Sequence, residues 1–278
     1  MLGLPVETGK GGFFPSLTFL VLNWLIMTGT ALLLVEVLAK AKHNANFLSL
    51  TEKILGANYK FITFFVYIVL FMSLTLAYVK GGGVFLSNIF LSVPVSLGCL
   101  IFLLLFVPLI IIGSKALSFG NDCMTCGLLI SFLALIGMGL TKVKGPFLIR
   151  MDFLSASLSL PMYLTAFGFQ GTLPSLYSYV ECKKSLKTAV VIGTSVTLGI
   201  YILWQLMVMG IIPLYGPNSL SSALSADETA ITPLKFYIQS PLIGMCSRIF
   251  YFTAVATSFL GVGLGLIDFL LDSFKMSQ

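Results

Sequence analysis

Charge is what this sequence has least of. Only 9% of its 278 residues are Asp, Glu, Lys or Arg, where a soluble domain carries about 25%. A chain that cannot cover itself with charge cannot face water on all sides. Soluble, secreted and nucleic-acid-binding readings are therefore excluded, and no nucleic acid is expected as a partner. Histidine is nearly missing, with His43 in a basic loop the single example. No H-E-x-x-H, Asp-rich diphosphate motif or Ser/His/Asp set can be assembled, so no enzyme, metal site or cofactor is expected. Gly9-Lys10-Gly11 lacks both the Ser/Thr and the spacing of a phosphate-binding loop. The five cysteines are Cys99, Cys123, Cys126, Cys182 and Cys246. Cys123 and Cys126 form a C-x-x-C with no second pair and no His, which reads as packing. No basic stretch precedes Lys10, so no cleavable signal is expected either.

What is present is apolar length. Hydrophobic residues make up 58% of the chain and the mean hydropathy is +1.03. Residues 11–35, 61–79, 81–114, 123–141, 153–180, 188–226 and 249–267 contain no charge at all. A span needs about 20 mostly apolar residues to cross roughly 30 Å. These runs predict helices near 13–39, 61–80, 93–113, 122–142, 155–180, 187–212 and 246–271, embedded in a lipid bilayer. Gly81-Gly82-Gly83 reads as the exit of the second, and Gly145-Pro146 as a break before the fifth. Residues 213–245 hold four prolines and read as a structured surface loop with short helices. Basic residues divide nine to seven between alternate loops, and Lys40, Lys42, Lys53, Lys60, Lys183, Lys184 and Lys187 mark the richer, cytoplasmic side.

The fifth run is not a plain helix. Gly168, Gln170, Gly171 and Pro174 fall within two turns. Glycine lets the backbone leave helical angles cheaply, and Pro174 clashes with the carbonyl four residues back. This predicts an unwound segment near 168–174 with a half-helix starting near Thr172. An open backbone in hydrocarbon survives only where it lines a cavity or binds something. A helix start there would present its positive end to a carboxylate. Gly3-Leu4-Pro5 is a similar device, four complete spans earlier. Two interrupted segments so placed suggest an inverted repeat with a midplane site. Among the remaining residues, Asn23 and Gln205 read as interhelical hydrogen-bonding partners, and Gly261, Gly263 and Gly265 as a close-packing stripe.

Four strings together resemble one family. Residues 1–16 (MLGLPVETGKGGFFPS), 30–37 (TALLLVEV), 164–180 (LTAFGFQGTLPSLYSYV) and 256–272 (ATSFLGVGLGLIDFLLD) are similar to the bacterial aromatic amino acid permeases. Those are tyrosine-specific and tryptophan-specific proton symporters of the amino acid/polyamine/organocation superfamily. The resemblance implies an all-α membrane protein with a partial five-plus-five inverted-repeat transporter fold. It would hold a half first helix, about seven full spans and a broken helix near 168–174. Residues 1–278 would form one transmembrane domain of a bacterial inner membrane, cut short at both ends. The implied activity is import of an aromatic amino acid with a proton by alternating access; the alternative is a transport-inactive remnant or scaffold. Leu2, Gly3 and Leu4 would contact the amino acid at the first break. Phe167, Gly168, Phe169, Gln170, Gly171 and Thr172 would contact it at the second. Relatives commonly carry His where Gln170 stands; Gln cannot titrate, but it can hydrogen-bond a phenol or indole. Thr257 and Ser258 would border the coupling-ion position. Glu36 and Asp268 are intramembrane carboxylates, and so further candidates for moving the coupling proton.

Overall fold

The computed structural model describes residues 2–40, 47–89, 93–112, 114–180 and 183–274. Lys42, His43, Cys182 and Lys275 lie outside them. All regular structure among the described residues is helical. In chain order the helices are α1 (Leu4–Thr8), α2 (Phe13–Lys40), α3 (Phe47–Leu55), α4 (Ala57–Ile89), α5 (Val95–Ile112), α6 (Ser114–Gly139) and α7 (Gly145–Leu148). They continue as α8 (Phe153–Leu158), α9 (Leu160–Ala166), α10 (Leu173–Tyr179), α11 (Lys183–Ile211), α12 (Leu220–Ser225), α13 (Ile231–Ile238) and α14 (Pro241–Ser273). Five stretches are long and apolar enough to cross a membrane: Phe13–Lys40, Ala57–Ile89, Gly120–Lys142, Ser185–Ile211 and Pro241–Ser273. A shorter apolar helix covers Val95–Ile111. Among the described residues, then, five helices have the length of a full span, α5 is shorter, and the predicted fifth span is divided into α8, α9 and α10. Phe61, Leu76 and Ile130 are 70–74% exposed, apolar faces suited to lipid.

The chain divides into two compact units. The first comprises residues 1–33, 130–168 and 184–248, the second 34–129, 169–183 and 249–278. One boundary falls between Gly168 and Phe169, inside the interrupted segment.

In the first unit, Leu4, Leu20, Tyr163 and Phe167 form one buried cluster, with Phe19, Leu198 and Tyr201 packed against it. Thr28 Oγ1 donates to Thr194 Oγ1 at 3.1 Å, tying α2 to α11. Glycines permit close approach elsewhere. Gly12 has φ +84°, and a Cβ there would lie 2.1 Å from the Arg150 carbonyl oxygen. Only glycine fits both demands.

In the second unit, α4, α5 and α14 share a core of Val79, Leu86, Phe102, Phe106, Ile110, Ala256, Phe259 and Leu260. Gly81, Gly82 and Gly83 do not end the second span, as the sequence suggested. They lie inside α4, where a Cβ on Gly82 would meet the Phe102 ring at 2.3 Å and one on Gly83 the Cys99 Sγ at 2.3 Å. The glycine run is a packing groove for α5, not a stop. Helix α3 is anchored through Leu48, buried with Phe71 and Phe269. The amide of Ser49 donates to Asp272 Oδ2 at 3.1 Å and its hydroxyl donates to Oδ1.

Candidate functional site

Helix α1 begins at Leu4 with Gly3 as its N-cap and Pro5 in the first turn. Helix α10 begins at Leu173 with Thr172 as its N-cap and Pro174 in the first turn. The two half-helices therefore start alike, on a residue pair Leu-Pro, and neither N-cap supplies a side-chain hydrogen bond. Proline is well placed there, since its missing N–H would lack an intrahelical partner anyway. Pro174 does not tear the helix open, as the clash argument supposed; it starts the next one. The interruption lies earlier, from Phe167 to Phe169, followed by a 3₁₀ turn over Gln170–Thr172. A further discontinuity at Ser159, between α8 and α9, had no counterpart in the predicted 155–180 helix.

Each side of the interruption is secured locally. In the first unit, α9 ends with its Ala166 carbonyl accepting the Tyr201 hydroxyl at 2.9 Å, and the Phe167 and Tyr201 rings lie 5.4 Å apart. The amide of Gly168 donates back to Thr165 O at 3.2 Å. This unit gathers Leu4 and Phe167 into one cluster, and a Cβ on Gly3 would touch Met162 of α9 at 3.6 Å. The start of α1 is thus packed on α9, the helix that leads to the interruption. Leu2 lies in the turn before α1 and is half-buried.

In the second unit, Thr172 Oγ1 donates to the Phe169 carbonyl at 2.8 Å and closes the 3₁₀ turn. The turn rests on α4 and α14. A Cβ on Gly171 would lie 3.3 Å from the Phe71 ring, and one on Gly265 would lie 3.1 Å from both Phe71 and Thr172. Gln170 is half-buried. Of the expected glycine stripe, Gly263 meets Ile110 and Gly265 meets Phe71 and Thr172, while Gly261 has nothing within 4 Å.

The coupling-ion candidates all lie in the second unit. Thr257 Oγ1 donates to Thr253 O at 2.8 Å within its own helix, and Ser258 is in hydrogen-bonding contact with Tyr78. Glu36 is exposed near the end of α2, and Asp268 is half-buried on α14. Among the described residues no group of three His, Cys, Asp or Glu could hold a metal ion. In the first unit Gln205 is fully buried and its Nε2 donates to Thr8 Oγ1 at 3.3 Å, so α11 is tied to α1.

Sequence reasoning passed over Tyr201, Phe71 and Asp272. Tyr201 and Phe71 act on chain distant in sequence, so no spacing announces them. Asp272 had a signal: it stands four residues after Asp268, on the same helical face.

With this geometry in view, comparison with known proteins decides the family. Residues 1–278 match the tryptophan/tyrosine permease family from end to end. The chain belongs to that family. It is similar to tyrosine-specific transport system 1 of Haemophilus influenzae, 32% identical over 290 residues that cover 100% of this chain and 70% of the relative. It is also similar to the tryptophan-specific transport protein of that organism, at 29% over 297 residues, 100% of this chain and 71% of the relative. A third relative is the low affinity tryptophan permease of Escherichia coli K12, at 28% over 300 residues, 100% of this chain and 70% of the relative. This permease is a multi-pass protein of the bacterial inner membrane, and its family is one of transporters, not enzymes.

Proposed function

We propose that the chain imports tyrosine or tryptophan together with a proton, by alternating access around the two interrupted helices. One observation carries the reading: a membrane-length stretch of chain is interrupted between Ala166 and Leu173, and Gly3-Leu4-Pro5 starts a half-helix in the same way. Backbone left out of a helix in hydrocarbon costs several kcal/mol per unsatisfied group unless it has something to bind. The Gly168 and Thr172 amides donate to Thr165 O and Phe169 O, so backbone between them would take the carboxylate, with the start of α10 adding its dipole. Phe167 and Phe169 would flank the ring, and Gln170 would hydrogen-bond a phenol or indole N–H. Leu2, Gly3 and Leu4 would contact the amino acid from the first break. Gln170 cannot carry a proton, so that task falls to Glu36 or Asp268, with Thr257 and Ser258 beside the ion position. The names of the relatives, tyrosine-specific and tryptophan-specific, support the substrate class.

Uptake of labelled tyrosine and tryptophan into proteoliposomes tests this. Accumulation that rises with an inward proton gradient is expected. Uptake indifferent to the gradient contradicts symport, and no uptake of either amino acid contradicts the reading as a whole.

A further inference from the structure

A pocket lies in the first unit, at the C-terminal end of α1. It has a volume of about 200 Å³ and is open on one side. Pockets for drug-sized ligands run from roughly 300 to 1,000 Å³, so this one suits a single small molecule. Its floor is backbone: Gly9 and Gly12 line it. A Cβ on Gly9 would press on Leu220 Cδ1 at 2.8 Å. Apolar walls come from Phe147, Met209, Ile212 and Leu214.

One charge faces this apolar space. Arg150 lines the pocket, and its guanidinium stands 5.7 Å from the Tyr215 ring centroid. A cation held over that ring is attracted to it without being neutralised. Among the described residues no carboxylate oxygen comes within 4.0 Å of Arg150, although its charge reaches Asp152 and helps to lower that carboxyl's pKa. The neighbouring carboxylate, Asp152, accepts from the Ser155 amide at 3.0 Å and from the Ser155 hydroxyl at 2.7 Å. Its two oxygens are thus engaged at the start of α8. A guanidinium without a direct ion pair, beside an aromatic and aliphatic wall, favours a small amphipathic carboxylate.

The geometry points to an outer waiting site for the transported aromatic amino acid, its carboxylate on Arg150 and its ring against Phe147 and Met209. The open side leaves the ammonium group in water. Gly9 is six positions after Gly3, about 9 Å along a helix at 1.5 Å per residue. A molecule held here would be one half-helix away from the proposed transport site. This assignment rests on the transport reading above.

Equilibrium binding of labelled tryptophan to the full chain in nanodiscs, paired with uptake, tests both separately. Two tryptophans per wild-type chain are expected, and one per Arg150→Gln chain. Arg150→Gln should raise KM for uptake about tenfold with the maximal rate unchanged, equivalent to roughly 1.4 kcal/mol. Arg150→Lys, which keeps the charge, should recover part of that loss. Indole-3-propionate should displace the tryptophan that Arg150→Gln fails to bind. One site in both chains overturns the inference, as does an unchanged KM or a loss confined to the maximal rate. Displacement by laurate at lower concentration than by indole-3-propionate overturns it in favour of a lipid acyl chain. A wild type that binds two tryptophans yet transports neither amino acid defeats the transport reading and leaves the pocket standing.

Discussion

At the scale of single residues, the glycines of α14 separate structure from pattern. Gly261, Gly263 and Gly265 share a face by spacing, yet they meet different things. A side chain at Gly265 would collide with Phe71 and Thr172, both 3.1 Å from its Cβ, whereas Gly261 faces open space. Gly265→Val is therefore expected to cost about 1–3 kcal/mol, as overpacking does, and to dislodge the 3₁₀ turn that ends at Thr172. Gly261→Val should change little. Thermal unfolding in detergent measures the difference, and uptake should fall for Gly265→Val alone. Equal midpoints for the two variants would show that the turn does not depend on this contact.

At the scale of elements, the account rests on how helix ends are satisfied. The last turn of α9 offers a carbonyl that α10 cannot use, and Tyr201 of α11 supplies the donor. Tyr201→Phe keeps the ring against Phe167 but removes the hydroxyl. It should lower stability by about 1 kcal/mol, the usual worth of one hydrogen bond, and slow uptake because the end of α9 is freed. Unchanged unfolding and uptake would remove Tyr201 from the account. The start of α8 gives a pH-dependent counterpart. The Ser155 amide, then the Ser155 hydroxyl, hold the Asp152 carboxyl below the usual carboxylate range. A carboxylate with a depressed folded pKa stabilises above its ordinary value of about 3.9 and loses that contribution as the pH falls through the lower folded value. The unfolding midpoint of the wild type should therefore exceed that of Asp152→Ala at neutral pH, and the gap should narrow on acidification below about pH 4. A gap that stays constant with pH would assign the effect to packing.

At the scale of the whole molecule, the sequence made the membrane legible at once, because seven charge-free runs leave no other solvent. It also marked the interruption at the Gly168–Pro174 string, and Gly3-Leu4-Pro5 is seen as a helix start. The mechanism of the interruption was misread at Pro174, since a proline that would break a helix interior also fits a helix start, and only the position of the last turn of α9 distinguishes the two. Gly81, Gly82 and Gly83 misled for a related reason. Glycine signals a stop or a close approach with the same letter, and the partner that decides between them, Cys99 and Phe102 of α5, lies on the next helix. Tyr201 and Phe71 stayed invisible because their effect exists only once distant helices meet.

The central claim is that the interruption at Gly168 to Thr172 grips the amino acid. Its most direct test is the reaction of Gly168→Cys, in a chain whose native cysteines are replaced, with a membrane-impermeant thiol reagent. Gly168 is exposed, so labelling is expected, and saturating tyrosine or tryptophan should slow it while an aliphatic sugar should not. Labelling at the same rate with and without the amino acid would contradict the account.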